Sequence, residues 1–174
     1  MKSLFSFKIF VLLLIFLAVN ITAQELTREE KNNRKKEIRK LLKECVSQYI
    51  SEDYDSVQNI TDSILIIENN NADAFYYKSL SYYHTGDTTI TLESLRKGVE
   101  LSPLSSRLKI LLVRVLLNQN NNTEAINVID AVLAIKPKLP EALYLKGLSL
   151  LAQNDSTQAV VYFQKSLEFL IFKD

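Results

Sequence analysis

The sequence predicts an all-α protein built from repeated pairs of antiparallel helices. Two observations lead to this fold class: a residue pattern recurs every 34 positions, and chain-breaking residues are scarce. The 174 residues include only three glycines and three prolines, whereas average usage would give about 20 of them. An all-β protein has turn residues about every 8–12 positions, and long stretches of this chain have none. The composition therefore excludes an all-β fold and favours helices.

The repeat is visible in three segments, 72–105, 106–139 and 140–173, which align without a gap. Positions around 4, 7, 8 and 11 form one apolar helical stripe, and positions 20, 24, 27 and 28 form another. Small or compact residues occupy the places where the two helices approach, at positions 8 and 20: Ser79, Val113, Gly147, Thr91, Ala125 and Ala159. Each segment is therefore predicted to be two amphipathic helices.

Turn and cap residues divide each segment at matching places. Position 15 has a residue suited to the left-handed conformation that ends a helix: Gly86, Asn120 and Asn154. Asn122 and Asp155 are candidate caps for second helices. Proline at position 32, Pro103 and Pro137, is expected to end the second helix.

This pattern resembles the tetratricopeptide repeat family, whose units have the same length, the same two-helix form and small residues at the same places. A weaker copy, 38–71, continues the register backwards, with Cys45 at position 8, but Asn69 replaces the proline at position 32. The resemblance implies a right-handed superhelical solenoid of about four repeats over residues 38–173. Such a stack needs about three units for stability.

Residues 1–23 have the pattern of a secretory signal peptide. Lys2 and Lys8 precede the apolar run Ile9–Val19, and Ala23 offers a small residue for cleavage before Gln24. The alternative is a retained N-terminal membrane anchor, but a spanning helix needs about 20 apolar residues. We therefore expect export to the periplasm or cell envelope, with no direct membrane insertion after cleavage.

Residues 24–37 are predicted to be a charged helical lead-in that caps the first repeat. Thr27 and Glu30 form a capping-box pattern, and residues 24–43 contain eight basic and four acidic side chains. This segment is either a basic handle for an acidic partner or membrane surface, or a solvated helix with pairs such as Glu30–Arg34. We favour the solvated helix. The net charge of +1 argues against nucleic-acid binding.

The sequence offers little for catalysis. The only histidine is His84, at the end of a predicted first helix, and the only cysteine is Cys45, at a position where small residues are packed. They are too few for a zinc site, which takes about four ligands, and no nucleophile–base arrangement is evident. We therefore expect that the protein is not an enzyme and that it uses no cofactor or metal.

The family resemblance implies that the first helices line a concave groove through positions 2, 5, 9 and 12. Eight residues are therefore predicted to bind a protein or peptide partner: Tyr49, Tyr76, Leu80, Tyr83, Arg107, Ile110, Arg114 and Tyr144. Tyr and Arg are enriched at protein interfaces. The alternative is that Tyr76 and Tyr83 pack on neighbouring helices. Family members that clamp a terminal carboxylate use Asn and Lys at places where this chain has Tyr, Leu and Ile.

The C-terminal end predicts a second surface. The apolar residues Leu167, Leu170, Ile171 and Phe172 either form an exposed patch or turn inward onto Val160, Val161 and Phe163. The sequence therefore predicts an exported protein–protein interaction module, an adaptor or assembly factor for a cell-envelope partner. The alternative is a structural protein that forms homo-oligomers by stacking through its C-terminal end.

Overall fold

The computed structural model describes residues 27–171. The predicted signal peptide, the first three residues of the lead-in and Phe172 lie outside the described residues. Within 27–171 the chain forms eight helices and no strand. Among these helices, none combines the length and the apolar character needed to cross a bilayer.

The first helix, α1, is described over residues 27–50. It is followed by seven further helices: α2 (Tyr54–Ile67), α3 (Ala72–Thr85), α4 (Thr88–Leu101), α5 (Ser106–Asn118), α6 (Asn122–Ile135), α7 (Pro140–Ala152) and α8 (Ser156–Ile171). The chain divides into two compact units, 1–41 and 42–174. The described part of the first unit is helical throughout, and its side chains are exposed as far as residue 37. The ion pair expected between Glu30 and Arg34 does not form. The ion pairs of the described residues all join residues between 62 and 146.

In the second unit each helix packs on its neighbours in the chain: α3 lies against α2 and α4, α5 against α4 and α6, and α7 against α6 and α8. The helices keep the period of the sequence. The helices α3, α5 and α7 begin at position 1 of their segments, and α2, α4, α6 and α8 begin at position 17. This regularity follows from caps that recur with the same spacing.

The caps of the second helices all stand at position 16. Asp53, Asp87 and Asp155 each accept a hydrogen bond from the backbone N–H three residues on, at 3.0–3.1 Å. In α6 the cap is Asn121, which accepts from Glu124 N at 3.4 Å. The prediction of Asn122 as this cap was wrong by one residue, because Asn122 is already the first residue of the helix. The cap at Asp155 is confirmed.

The residue at position 15 has a positive φ in every unit. Gly86, Asn120 and Asn154 have φ of 87°, 59° and 65°, as predicted, and Glu52 has φ of 61° in the first repeat, 38–71. A glutamate rarely adopts this conformation, so the turn at Glu52 could not be recognised from its residue type. The first repeat therefore makes the same turn with an unfavourable residue.

Close approach of paired helices depends on the small residues. Cys45, Ser79, Val113, Thr91 and Ala125 are fully buried. At Gly147 the approach is tightest, because a Cβ atom there would lie 2.5 Å from the Phe163 ring. No larger residue fits at this position without moving α7 away from α8.

Two buried or half-buried lysines join successive units through position 7. Lys78 pairs with Asp62 at 2.6 Å, and Lys146 pairs with Asp130 at 2.7 Å. Both aspartates stand at position 25 of the preceding unit, 16 residues earlier in the chain. The Lys146 side chain is only 9% exposed, so its partner compensates the removal of an ammonium group from water.

Candidate functional site

The candidate site is a cavity of about 430 Å³ between the first helices of the second and third units. Its polar wall includes Arg107, Arg114, Lys136 and Glu141, and its apolar floor includes Leu80 and Ile110. Tyr76, Ser106, Leu111 and Leu139 complete the lining. A concave apolar surface with a few convergent polar groups is the usual form of a binding site.

Helical spacing brings these residues together. Tyr76 and Leu80 are four residues apart on α3, and Ile110 and Arg114 are four residues apart on α5. Residues at this spacing share a helix face. Leu80 and Ile110 are 9% and 8% exposed, so they form the floor, whereas both arginines are exposed at the rim.

Arg107 is held in place by two neighbours. Its guanidinium lies 4.0 Å from the centre of the Tyr76 ring and forms an ion pair with Asp73. Burial raises the pKa of the Tyr76 hydroxyl above its ordinary value, and the Arg107 charge acts in the opposite direction. The Tyr76 hydroxyl is therefore neutral at physiological pH and can donate a hydrogen bond.

Arg114 reaches across to the fourth unit, where it pairs with Glu141 at 2.7 Å. Both side chains are about half exposed, and such a surface pair contributes only about 0–1 kcal/mol to stability. A partner carboxylate can therefore replace Glu141 with little loss to the fold.

Tyr49 and Tyr83 lie outside the cavity and form a ladder between units. The Tyr83 hydroxyl accepts a hydrogen bond from Asn118 Nδ2 at 2.8 Å, and the Tyr49 hydroxyl lies 3.1 Å from His84 Nε2. In both cases position 12 of one unit meets position 13 of the next. Burial and the neighbouring tyrosines raise the pKa of Tyr49. These two tyrosines pack between units, which was the alternative interpretation for Tyr83.

Tyr144 is 48% exposed but faces a different cleft. This second cleft, of about 400 Å³ between α7 and α8, is mostly apolar and includes Phe163, Leu167 and Leu170. The Tyr144 and Phe163 rings are 5.6 Å apart. Leu167, Leu170 and Ile171 are 56%, 61% and 70% exposed, so the described part of the predicted C-terminal patch faces outward. Val160 and Val161 are exposed as well.

The structure therefore brings five of the eight predicted residues into one cavity: Tyr76, Leu80, Arg107, Ile110 and Arg114. Lys136 and Leu139 were missed because they lie in the connection between α6 and α7, beyond any helical stripe. Glu141 was at position 2 of the predicted groove but was not chosen. The ion pair between Glu141 and Arg114 depends on the packing of α7 beside α5, which the sequence does not show directly.

A larger hollow of about 890 Å³ surrounds α4 and includes Phe75, Ile90 and Glu93. Its three cations are all paired, Lys78 with Asp62, Arg96 with Glu124 and Lys97 with Glu100, whereas Lys136 of the smaller cavity is in none of the ion pairs of the described residues. None of its lining residues is among the eight predicted from the sequence. The smaller cavity is the better candidate, because its charged groups converge on an apolar floor.

Neither residue considered for chemistry has a catalytic setting in the described part of the chain. Cys45 is fully buried, and burial raises the pKa of its thiol from 9.0 to about 11, as expected for a packed, unreactive cysteine. The His84 ring stacks on Tyr54, with 4.7 Å between ring centres. Among the described residues, no group of three potential metal ligands is present.

Comparison with known proteins identifies the repeat. A family model described as "Tetratricopeptide repeat" matches residues 141–168. A DnaJ homolog subfamily C member 7 homolog from Dictyostelium discoideum is 32% identical over 79 residues, which are 45% of this chain and 15% of that protein. The chain thus spans only a small part of that relative's length.

Two solved structures extend the likeness to most of the chain. A crystal structure of MamA has a TM-score of 0.72 at 19% identity and covers 78% of this chain and 80% of its own. A thermophilic TPR protein in Thermus thermophilus, TTC0263, has a TM-score of 0.66 at 15% identity, covering 76% and 74%. At these identities the likeness concerns the fold. The predicted superhelical solenoid of helix pairs, with about four repeats, is confirmed.

Proposed function

We propose that this chain, which matches a tetratricopeptide repeat model over residues 141–168 and shares the fold of a solved TPR protein, is a protein-interaction module whose groove binds a segment of a protein partner. The binding surface is the cavity around Tyr76, Arg107 and Arg114. The observation that supports this proposal is that five of the residues predicted from the repeat register line one cavity.

The lining favours a segment with an apolar side chain next to an acidic one. Leu80, Ile110 and Leu139 offer an apolar floor, and Arg107, Arg114 and Lys136 stand around it. Asp73 and Glu141 pair with the two arginines, and Lys136 is in none of the ion pairs of the described residues. The apolar side chain is removed from water on this floor. The carboxylate then meets Arg114 or Lys136, which gives direction and specificity more than affinity.

The test is recovery of partners from the native cells by the purified chain. Replacing Tyr76 and Arg114 together by alanine should abolish recovery, because it removes the aromatic wall and a rim cation. The matched control is Arg96→Ala, which removes an equally exposed arginine, paired with Glu124, on α4. Thermal unfolding establishes that all three proteins are folded. Equal recovery by the groove variant and the control would refute the assignment.

The proposed setting is the cell envelope, reached by export through residues 1–23, and the proposed role is non-enzymatic, as an adaptor or assembly factor. Residues 38–173 are proposed to be the binding domain and residues 24–37 to precede it. Sequencing the N-terminus of the chain recovered from an envelope fraction tests this. A chain beginning near Gln24 is expected, and an intact N-terminus would instead favour the retained anchor.

A second candidate function is self-association through the cleft between α7 and α8. The exposure of Leu167 and Leu170 favours it, because apolar patches of this kind mark association surfaces. Light scattering over a concentration series distinguishes the two. A mass that rises with concentration, and that Leu170→Asp returns to the monomer, supports stacking; a constant monomer mass excludes it.

A further inference from the structure

The described part of the compact unit 1–41 has a concentrated positive charge on one side of α1. Arg28, Lys31, Lys35 and Arg39 are spaced by three, four and four residues, which keeps these four cations in line along a helix. Lys36 and Lys40 lie beside this line. These six exposed residues form the basic face: Arg28, Lys31, Lys35, Lys36, Arg39 and Lys40.

Two of the three acidic residues in the described part of this segment are placed elsewhere. Glu30 and Glu37 are seven residues apart, so they lie together on the side of the helix away from the line of cations. Glu29 is seven residues before Lys36, so it lies within the basic face, beside Lys36 and Lys40. None of the ion pairs of the described residues includes a cation of the basic face. Among the described residues, the cations of this face are therefore not paired with carboxylates.

The charge is also dense. At about 1.5 Å of rise per residue, Arg28 and Lys40 are about 18 Å apart along the axis, and six cations occupy this length. A field of this kind attracts polyanions through distances of about 8 Å at physiological salt.

The basic face lacks the features of a protein interface. Apart from its cations it contains Glu29 and polar residues such as Asn32, and protein interfaces depend on buried apolar or aromatic anchors. Anionic lipid headgroups are mobile and need no matching shape, and basic helices bind them by charge alone. The sequence also places Arg28 nine residues after the apolar run Ile9–Val19, which brings this face close to a bilayer during export or anchoring.

We propose that the basic face docks on a membrane surface that contains anionic phospholipids. The six residues of the basic face all belong to the compact unit 1–41, whereas the residues that line the cavity all belong to the unit 42–174. The docking holds the chain at the membrane.

The experiment measures partition of the full chain onto vesicles of phosphatidylcholine alone and of phosphatidylcholine with phosphatidylglycerol. The ratio of the two partition coefficients removes the apolar contribution of the N-terminus, which acts on both vesicles. The charges of Lys2 and Lys8 are the same in all variants and cancel when the variants are compared. Each cation near an anionic surface strengthens binding about five-fold. Replacing four of them should therefore lower the ratio by about two to three orders of magnitude. The test variant carries Arg28→Gln, Lys31→Gln, Lys35→Gln and Arg39→Gln.

The matched control loses the same charge from exposed basic residues of the compact unit 42–174 that lie outside the cavity: Arg96→Gln, Lys97→Gln, Lys138→Gln and Lys165→Gln. Its ratio should stay near that of the unmodified chain. In the unmodified chain, about 1 M salt should bring the ratio close to one, because the screening length falls to about 3 Å. A ratio near one at low salt, or equal losses in both variants, would overturn the proposal. Tighter binding to random-sequence duplex DNA than to the anionic vesicles would also overturn it.

Discussion

At the scale of single residues, burial decides how Cys45 behaves. The thiol ionises near pH 9.0 when exposed and near pH 11 in the folded chain. Between these values the folded state holds a proton that the unfolded state has lost, so the free energy of unfolding falls as pH rises. The shift of about two units corresponds to a loss of up to about 2–3 kcal/mol.

Urea unfolding at a series of pH values checks this. Cys45→Ala should show a shallower decline between pH 9 and 11 than the unmodified chain. Tyr49 and Tyr76, whose pKa values are also raised, contribute equally to both proteins and cancel in the difference. Parallel curves for the two proteins would contradict the burial of this thiol.

A second residue-scale prediction concerns the ion pair between Lys146 and Asp130. Asp130→Ala leaves a buried ammonium without its acceptor and should lower the free energy of unfolding by about 1–3 kcal/mol. Glu141→Ala breaks the exposed pair with Arg114 and should cost at most about 1 kcal/mol. Denaturant unfolding measures both.

Adding Lys146→Met to Asp130→Ala should recover much of the stability, because it removes the buried charge. If the single variants at Asp130 and Glu141 lose the same stability, the difference in burial between the two pairs has no energetic consequence.

At the scale of helices, the spacing of α7 and α8 depends on Gly147. A Cβ at this position would meet the rigid Phe163 ring at 2.5 Å, so Gly147→Ala should cost about 1–3 kcal/mol through overpacking. At Gly98 the nearest atom is the end of the Leu108 side chain, at 2.8 Å. That side chain can rotate, and alanine favours a helix by up to about 1 kcal/mol.

Denaturant unfolding should therefore show a clearly larger loss for Gly147→Ala than for Gly98→Ala. The reverse order would mean that the ring of Phe163 moves more easily than the Leu108 side chain.

The helices were predictable because local chemistry sets their ends. Caps such as Asp155 and turn residues such as Asn154 act within a few positions of the chain, so the sequence shows them directly. Glu52 was not predictable, because a glutamate rarely adopts a positive φ. Arg107 and Arg114 were placed in the groove by register, but their pairing with Asp73 and Glu141 depends on how adjacent units pack. For the same reason, Tyr83 was expected in the groove and lies instead in a contact between units.

At the scale of the whole molecule, the two units carry different surfaces. The repeat unit provides a cavity with an apolar floor and a charged rim, and the described part of the first unit provides a basic face. In the proposed function the cavity selects the partner. The basic face determines where this selection takes place.

The most direct test of the central claim, that a protein partner occupies the cavity, is site-specific photo-crosslinking in the native cells. A photoreactive phenylalanine analogue replaces Arg114 at the rim of the cavity, or Lys97 on α4 as an equally exposed control. The account predicts a defined crosslinked partner from position 114, none from position 97, and loss of this product when Tyr76→Ala is added. The same product from both positions, or none from position 114, would contradict it.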